Sequence, residues 1–202
     1  MYWYNQDIEW LHQQDVVRNK RKNIVFYGSS TFTLWKNMKD DFSKFNAINM
    51  GFGGATLAAC AWFYSKIIPR LHPDAIFVYA GDNDLGDGRT PEEVVLFYYQ
   101  LVAEIQKHHD KIPVCFISIK LSPSREHLRG SIEYANKCIR EYIESEPPKH
   151  NLYYIDVFDK MLDMTNKIRN ELFELDGLHL SRLGYELWIE EINKKYTEIF
   201  NN

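Results

Sequence analysis

Five short apolar runs constrain the fold of this chain more than any other feature of its sequence. They are rich in Val, Ile, Phe and Tyr, and most of them lack polar alternation, which is typical of strands buried on both faces of a parallel sheet. The runs cover residues 23–27, 47–50, 75–80, 114–119 and 152–155. The sequence therefore predicts a five-stranded, mostly parallel sheet.

Longer segments with apolar residues at helical spacing fill the gaps between these runs. Residues 91–108 have the clearest helix start, because Thr90 can cap the helix, Pro91 suits its first turn and Glu93 completes a capping box. The other predicted helices cover residues 4–17, 57–68, 132–144 and 181 to about 200. Alternation of strands and helices predicts a three-layer α/β fold with right-handed crossovers.

The length and composition indicate one globular domain over residues 1–202. Of these 202 residues, 45% are hydrophobic and 26% are charged, and we find neither an internal repeat nor a linker. A chain of this length buries a sizeable core, in which we expect Trp35, Trp62 and Trp188. The net charge is −4 and there is no long basic run, so we expect no nucleic-acid partner.

The cysteines and the N-terminal segment bear on the compartment of the protein. The spacing of Cys60, Cys115 and Cys138 fits neither a disulfide framework nor a zinc site. Residues 1–17 contain acidic side chains and no apolar core run, so they do not resemble a signal peptide. Because no stretch approaches the roughly 20 apolar residues of a membrane span, we expect a cytoplasmic protein without a membrane partner. The oligomeric state stays open.

Polar and glycine residues follow several of the predicted strands. The first strand is followed by Ser29 and Ser30, the second by the glycine-rich residues 51–56, and the third by residues 81–84. Residues 176–179, Asp-Gly-Leu-His, come after the fifth strand. Ligands bind beyond the carboxyl ends of the strands in open parallel sheets, so we expect these segments to share one edge.

These residue types fit nucleophilic catalysis by a serine. A serine hydroxyl attacks a carbonyl only when a base takes its proton, and histidine is the usual base. A carboxylate on the other ring nitrogen fixes the tautomer, and Asp176 is close enough to His179 in sequence to contact it. Glycine N–H groups and an asparagine amide can stabilise the oxyanion of the tetrahedral intermediate.

The four segments resemble, in order, the sequence blocks of the SGNH hydrolases, or GDSL-type esterases. The matching stretches are YGSST at 27–31, NMGFGGAT at 49–56, GDND at 81–84 and DGLHLS at 176–181. The resemblance implies a flavodoxin-like α/β/α sandwich and an ester hydrolase without cofactor or metal, acting on a small-molecule ester.

The resemblance also implies a role for five residues. Ser30 matches the family nucleophile, His179 the base and Asp176 the residue that orients it. The oxyanion would be bound by the N–H groups of Ser30 and Gly54 and by the side chain of Asn83.

Two positions depart from the family pattern. Ser29 stands where the family name has Asp, which leaves open which of the two adjacent serines attacks the substrate. Ala55 stands where many members carry Asp.

Other ligand chemistries fit the sequence less well. The phosphate-binding patterns G-x-x-x-x-G-K-[ST] and G-x-G-x-x-G are both absent at the first strand. Residues 82–88, DNDLGDG, do not meet the requirements of an EF-hand loop at their fifth and sixth places, so Asp84 is expected to hold the loop by hydrogen bonds.

We therefore expect a serine esterase that removes short, acetyl-type acyl groups from a small alcohol or sugar. A thioesterase or a lysophospholipase would use the same machinery on another substrate. A binding module that kept the fold and lost turnover is the alternative from a different class.

Overall fold

A five-stranded parallel sheet forms the centre of the computed structural model, which describes residues 1–14, 20–147 and 150–200. The strand order is β2-β1-β3-β4-β5, and each neighbouring pair is parallel. This is the flavodoxin-like order, so the predicted fold class is confirmed. The strands are Asn23–Gly28 (β1), Asn46–Gly51 (β2), Ala75–Tyr79 (β3), Val114–Ile117 (β4) and Leu152–Ile155 (β5).

Helices cover both faces of the sheet. Those of the described residues are Asn5–Gln13 (α1), Ser30–Thr33 (α2), Met38–Asp41 (α3), Leu57–Ile67 (α4), Asp82–Gly86 (α5), Pro91–His108 (α6), Arg129–Ser145 (α7) and Arg182–Phe200 (α8). Core residues of α1, α4, α6 and α7 pack on one face, and those of α2, α3 and α8 pack on the other. None of these helices is both long enough and apolar enough to cross a membrane.

Strand β1 shows why the apolar runs have no polar alternation. Val25 and Tyr27 point into the core beneath α4 and α6, whereas Ile24 and Phe26 point into the core on the α8 side. All four side chains are buried, because each face of the strand is covered by a layer of helices. Phe26 stacks on Phe77 of β3 with ring centroids 5.4 Å apart.

Some predicted details differ from the structure. The first helix ends at Gln13, and residues 15–17 of its predicted range lie outside the described residues. Helix α7 begins at Arg129 rather than at residue 132. The prediction that Trp62 is in the core is wrong: its side chain is 71% exposed on α4, whereas Trp35 and Trp188 are buried. The helical spacing predicted burial, but Trp62 lies on the face of α4 that is exposed to solvent.

Parallel strands bring the carboxyl ends of β1, β2 and β3 to one edge of the sheet. At the end of β1, Gly28 has φ of +148°, and a Cβ atom there would lie 1.9 Å from the carbonyl oxygen of Tyr79. Only glycine allows this close approach, which directs the chain at once into α2. The Phe52 N–H donates to the Gly28 carbonyl at 2.9 Å, so the loops after β1 and β2 are joined directly.

Candidate active site

Ser30 is the first residue of α2, at the carboxyl edge of the sheet. Its Oγ lies 3.2 Å from Nε2 of His179. Ser29 precedes it in an extended conformation and donates its N–H to the Tyr79 carbonyl at 2.9 Å. The Ser29 hydroxyl is buried and has no hydrogen-bond partner among the described residues. Of the two adjacent serines, only Ser30 therefore faces the histidine.

His179 and Asp176 contact each other within one tight loop between β5 and α8. Nδ1 of His179 lies 2.6 Å from Oδ2 of Asp176. Oδ1 of Asp176 accepts hydrogen bonds from the backbone N–H groups of Leu178 and His179 at 2.8 and 3.0 Å. Gly177, which follows Asp176, has φ of +63°. When Nδ1–H donates to the carboxylate, Nε2 presents its lone pair to the Ser30 hydroxyl.

The same contacts hold Asp176 in its ionised form. The backbone N–H of His179, the imidazole of His179 and the backbone N–H of Leu178 together lower the pKa of Asp176 to about 2. Hydrogen bonds to a carboxylate favour its charged form. Asp176 is therefore an anion at any pH near neutrality and can stabilise an imidazolium beside it.

Asn83 lies in the first turn of α5 and Gly54 in the loop after β2, both at this edge of the sheet. Nδ2 of Asn83 donates to the Ala55 carbonyl at 3.1 Å. Gly54 has φ of +66°, and no atom lies within 4 Å of the position that a Cβ would occupy. One N–H of the Asn83 amide is used by Ala55, which leaves the second free for a ligand.

Two further side chains support this edge of the sheet, and sequence reasoning singled out only one of them, Asp84. The Tyr4 hydroxyl donates to the Gly54 carbonyl at 2.8 Å. Oδ2 of Asp84 accepts the Leu57 N–H at 2.8 Å, which agrees with the expectation that Asp84 holds its loop by hydrogen bonds. Tyr4 comes from a segment distant in sequence, and no pattern in the residues indicated that contact.

Lys120, just beyond β4, is another residue that sequence reasoning did not single out. Its ammonium group donates to Oδ2 of Asp82 at 2.9 Å and to the Tyr79 hydroxyl at 3.0 Å, and the side chains of Lys120 and Asp82 are buried. Burial alone would raise the pKa of Asp82, but the charge and hydrogen bond of Lys120, the Tyr79 hydrogen bond and the Arg125 charge together hold that pKa below its usual value. The sequence feature that could have indicated Lys120 is its position directly after a buried apolar run.

An open cavity of about 410 Å³ lies on the His179 side of the site. Its lining combines the apolar side chains of Leu34, Trp35 and Leu180 with several polar side chains, and Leu34 is exposed to solvent. Arg182 at this rim is held by Asp41 at 2.8 Å. The polar side chains of the rim are Lys36, Asn37, Glu174 and Arg182.

Within residues 1–14, 20–147 and 150–200, no group of three or more His, Cys, Asp or Glu side chains could hold a metal ion.

The sequence and the fold both relate this chain to known proteins. Residues 25–187 match the sequence profile of the GDSL-like Lipase/Acylhydrolase family. Because the match covers most of the chain, the protein belongs to this family, and the resemblance seen in the sequence blocks is confirmed. No curated protein sequence matches the chain closely enough to add a relative.

Solved structures similar to this one share its fold. A GDSL-like lipase from Bacteroides thetaiotaomicron is 17% identical, with a TM-score of 0.79 and 98% of both chains covered. A carbohydrate esterase family 3 protein from Talaromyces cellulolyticus is 14% identical, with a TM-score of 0.73 over 88% of this chain and 97% of that one. An acetyl xylan esterase is 18% identical, with a TM-score of 0.71 over 86% and 98%.

Proposed function

We propose that this protein is a serine esterase that hydrolyses carboxylic esters with short, acetyl-type acyl groups on a small alcohol or sugar. The observation that carries the proposal is the chain of contacts from the Ser30 hydroxyl through the imidazole of His179 to the carboxylate of Asp176, at 3.2 and 2.6 Å. Nucleophile, base and orienting group are thus each within reach of the next, which is the arrangement that nucleophilic catalysis requires.

In the first step, Oγ of Ser30 attacks the carbonyl carbon of the ester while Nε2 of His179 takes the hydroxyl proton. The carbonyl π electrons move to the oxygen, which becomes an oxyanion. Asp176, which stays ionised because its pKa is about 2, stabilises the imidazolium that forms.

The oxyanion is bound by the N–H groups of Ser30 and Gly54 and by the free N–H of the Asn83 amide. These donors are held before substrate arrives, because Tyr4 fixes Gly54 and the Ala55 carbonyl fixes the amide of Asn83. Each pre-positioned donor of this kind contributes about 3 to 4 kcal/mol of transition-state stabilisation.

The tetrahedral intermediate then collapses. The C–O bond to the alcohol breaks, and the imidazolium of His179 gives its proton to the departing oxygen, which leaves an acyl group on Ser30. Water enters, His179 takes its proton, and the resulting hydroxide attacks the acyl carbon. The acid departs and Ser30 recovers its proton.

The cavity beside His179 supports a polar alcohol as the leaving group. The alcohol departs on the side of the imidazole that protonates it, and this side opens into the 410 Å³ space. Lys36, Asn37 and Glu174 at its rim offer donors and acceptors to hydroxyl groups. The carbohydrate esterase and the acetyl xylan esterase among the similar structures agree with such a substrate.

We further propose that the enzyme works in the cytoplasm. Cys60, Cys115 and Cys138 carry free thiols, which suits a reducing compartment.

An active-site probe combined with a panel of esters tests this function. A fluorophosphonate probe should label the wild-type protein on Ser30 and should not label Ser30→Ala. The panel varies the acyl group from acetyl to octanoyl on a common alcohol, and then the alcohol on a common acetyl group. We expect acetyl esters of sugars to give the highest kcat/KM. An octanoyl ester or a thioester that is turned over faster would favour the lysophospholipase or thioesterase alternative, and absence of labelling would favour a binding module.

A further inference from the structure

A buried pair of opposite charges, Lys120 and Asp82, lies at the start of α5, next to Asn83. Lys120 is 1% exposed and Asp82 is 4% exposed, and their charged atoms are 2.9 Å apart. The Tyr79 hydroxyl accepts a second hydrogen bond from the Lys120 ammonium at 3.0 Å. The ring of Tyr79 in turn packs edge-on against Phe32 of α2, the helix that begins with Ser30.

Stability alone does not explain a pair of this kind. Two charges lose their hydration when they are buried, and replacing such a pair by apolar residues of similar size is often neutral or stabilising. The position of the pair therefore calls for an explanation in terms of the neighbouring site.

The carboxylate of this pair is next to a proposed oxyanion donor. Asp82 directly precedes Asn83, and Oδ1 of Asp82 accepts the backbone N–H of Asn83 at 3.1 Å. A second buried carboxylate, Asp84, directly follows Asn83 in the sequence. Without compensating cations, these negative charges would oppose a third one, the oxyanion that develops during acyl transfer.

Two cations face Asp82. Lys120 contacts it directly, and the positive charge of Arg125 acts on it from further away. The Arg125 guanidinium lies against Gly86 at the end of α5, where a Cβ would come within 2.5 Å of it. Among the cations of the described residues, only Lys120 is buried and in hydrogen-bond contact with the carboxylate, so it is the main counter-charge.

We propose that Lys120 is a positioning residue for the hydrolysis reaction: it neutralises the buried carboxylate of Asp82 and thereby keeps Asn83, at the start of α5, able to stabilise an oxyanion. This inference rests on the proposed esterase function, because it assigns a role to residues that are buried next to that active site. Lys120 touches neither substrate nor reacting atoms in this role and acts only through Asp82 and Asn83.

Three variants separate the charge from the structure: Lys120→Met, Asp82→Asn and the double variant with both changes. Lys120→Met leaves an uncompensated buried carboxylate, so we expect kcat for p-nitrophenyl acetate to fall about 10- to 100-fold, with a much smaller change in KM. Asp82→Asn keeps the shape and leaves a cation beside the oxyanion, so it should lose clearly less than Lys120→Met. The double variant should recover at least about tenfold over Lys120→Met, because no unpaired charge remains.

Thermal melting of all four proteins controls for folding. If the pair were only structural, removal of either partner would lower Tm and kcat together, and the two single variants would lose similar activity. That symmetrical result, or a double variant no better than Lys120→Met, would overturn the inference. Where Lys120→Met itself is too unstable to assay, the double variant is compared with Asp82→Asn. A similar kcat supports the inference, because Lys120 then acts only through the Asp82 charge, and a kcat about 10-fold lower or worse in the double variant overturns it. Ser30→Ala is assayed alongside: an inactive Ser30→Ala beside an active wild type supports the esterase function independently of the Lys120 variants.

Discussion

The Ser30 hydroxyl and the imidazole of His179 lie 3.2 Å apart although 149 positions separate them in the sequence. The sheet produces this contact: β1 ends at its carboxyl edge, and the loop that leads from β5 to α8 returns to the same edge. The Tyr185 hydroxyl of α8 donates a hydrogen bond to the Thr31 carbonyl at 2.9 Å, which fixes α8 to the helix that begins with Ser30. The pairing of the two reactive groups is therefore a property of the tertiary fold.

The first prediction concerns the adjacent serines. Ser30→Ala removes the proposed nucleophile and should lower kcat for p-nitrophenyl acetate by several orders of magnitude, up to about 10⁶-fold. Ser29→Ala is the matched control, because the hydroxyl of Ser29 is buried away from His179 and has no hydrogen-bond partner among the described residues. It should keep most of the activity. The reverse pattern would assign the attack to Ser29.

The second prediction concerns pH. Because hydrogen bonds from His179 and Leu178 lower the pKa of Asp176 to about 2, this carboxylate does not titrate in the range of an activity assay. Asp176 should therefore contribute no titration to kcat/KM between about pH 5 and 8. Asp176→Asn should lower kcat by up to about 10⁴-fold, since the imidazole loses both its orientation and its counter-charge. An Asp176→Asn variant with the kcat of wild type would contradict this role of Asp176.

Much of this arrangement could be read from the sequence, for a physical reason. Strands buried on both faces must be almost wholly apolar, so β1 was recognisable, and the glycine and serines after it marked the edge of the sheet. The predicted capping box at the start of α6 is also present, because it depends only on Thr90 and Glu93. Such features are local.

What the sequence did not indicate depends on contacts between distant segments. Helix α2 has four residues, too few to show a period. Lys120 and Asp82 come from different strand ends, and neither residue type predicts burial by itself. The side on which Trp62 lies is decided by how α4 packs against the sheet, which spacing alone does not fix.

The third prediction concerns Tyr4, whose hydroxyl donates to the Gly54 carbonyl while its ring packs against Phe52 at 5.3 Å. Tyr4→Phe keeps the ring and removes only the hydrogen bond, so the Gly54 loop loses one of its anchors. We expect kcat to fall about 3- to 10-fold, the equivalent of one modest hydrogen bond, with little change in KM. Tyr2→Phe is the control, because Tyr2 is 81% exposed. Equal kcat values for the two variants would show that the Tyr4 contact does not position Gly54.

The fourth prediction links Asp84 to the pH dependence of stability. Burial raises the pKa of Asp84 to about 6, against the opposing effects of the Leu57 N–H and Arg89. The folded protein therefore binds a proton more tightly than the unfolded chain, so this contribution to stability is full below about pH 4 and is lost as the pH rises to about 6. Asp84→Asn does not titrate and can still accept the Leu57 N–H. The free energy of unfolding of the variant, measured relative to wild type by urea denaturation, should rise by about 2 kcal/mol between pH 4 and pH 7. A constant difference over this range would mean that Asp84 is ionised in the folded state throughout.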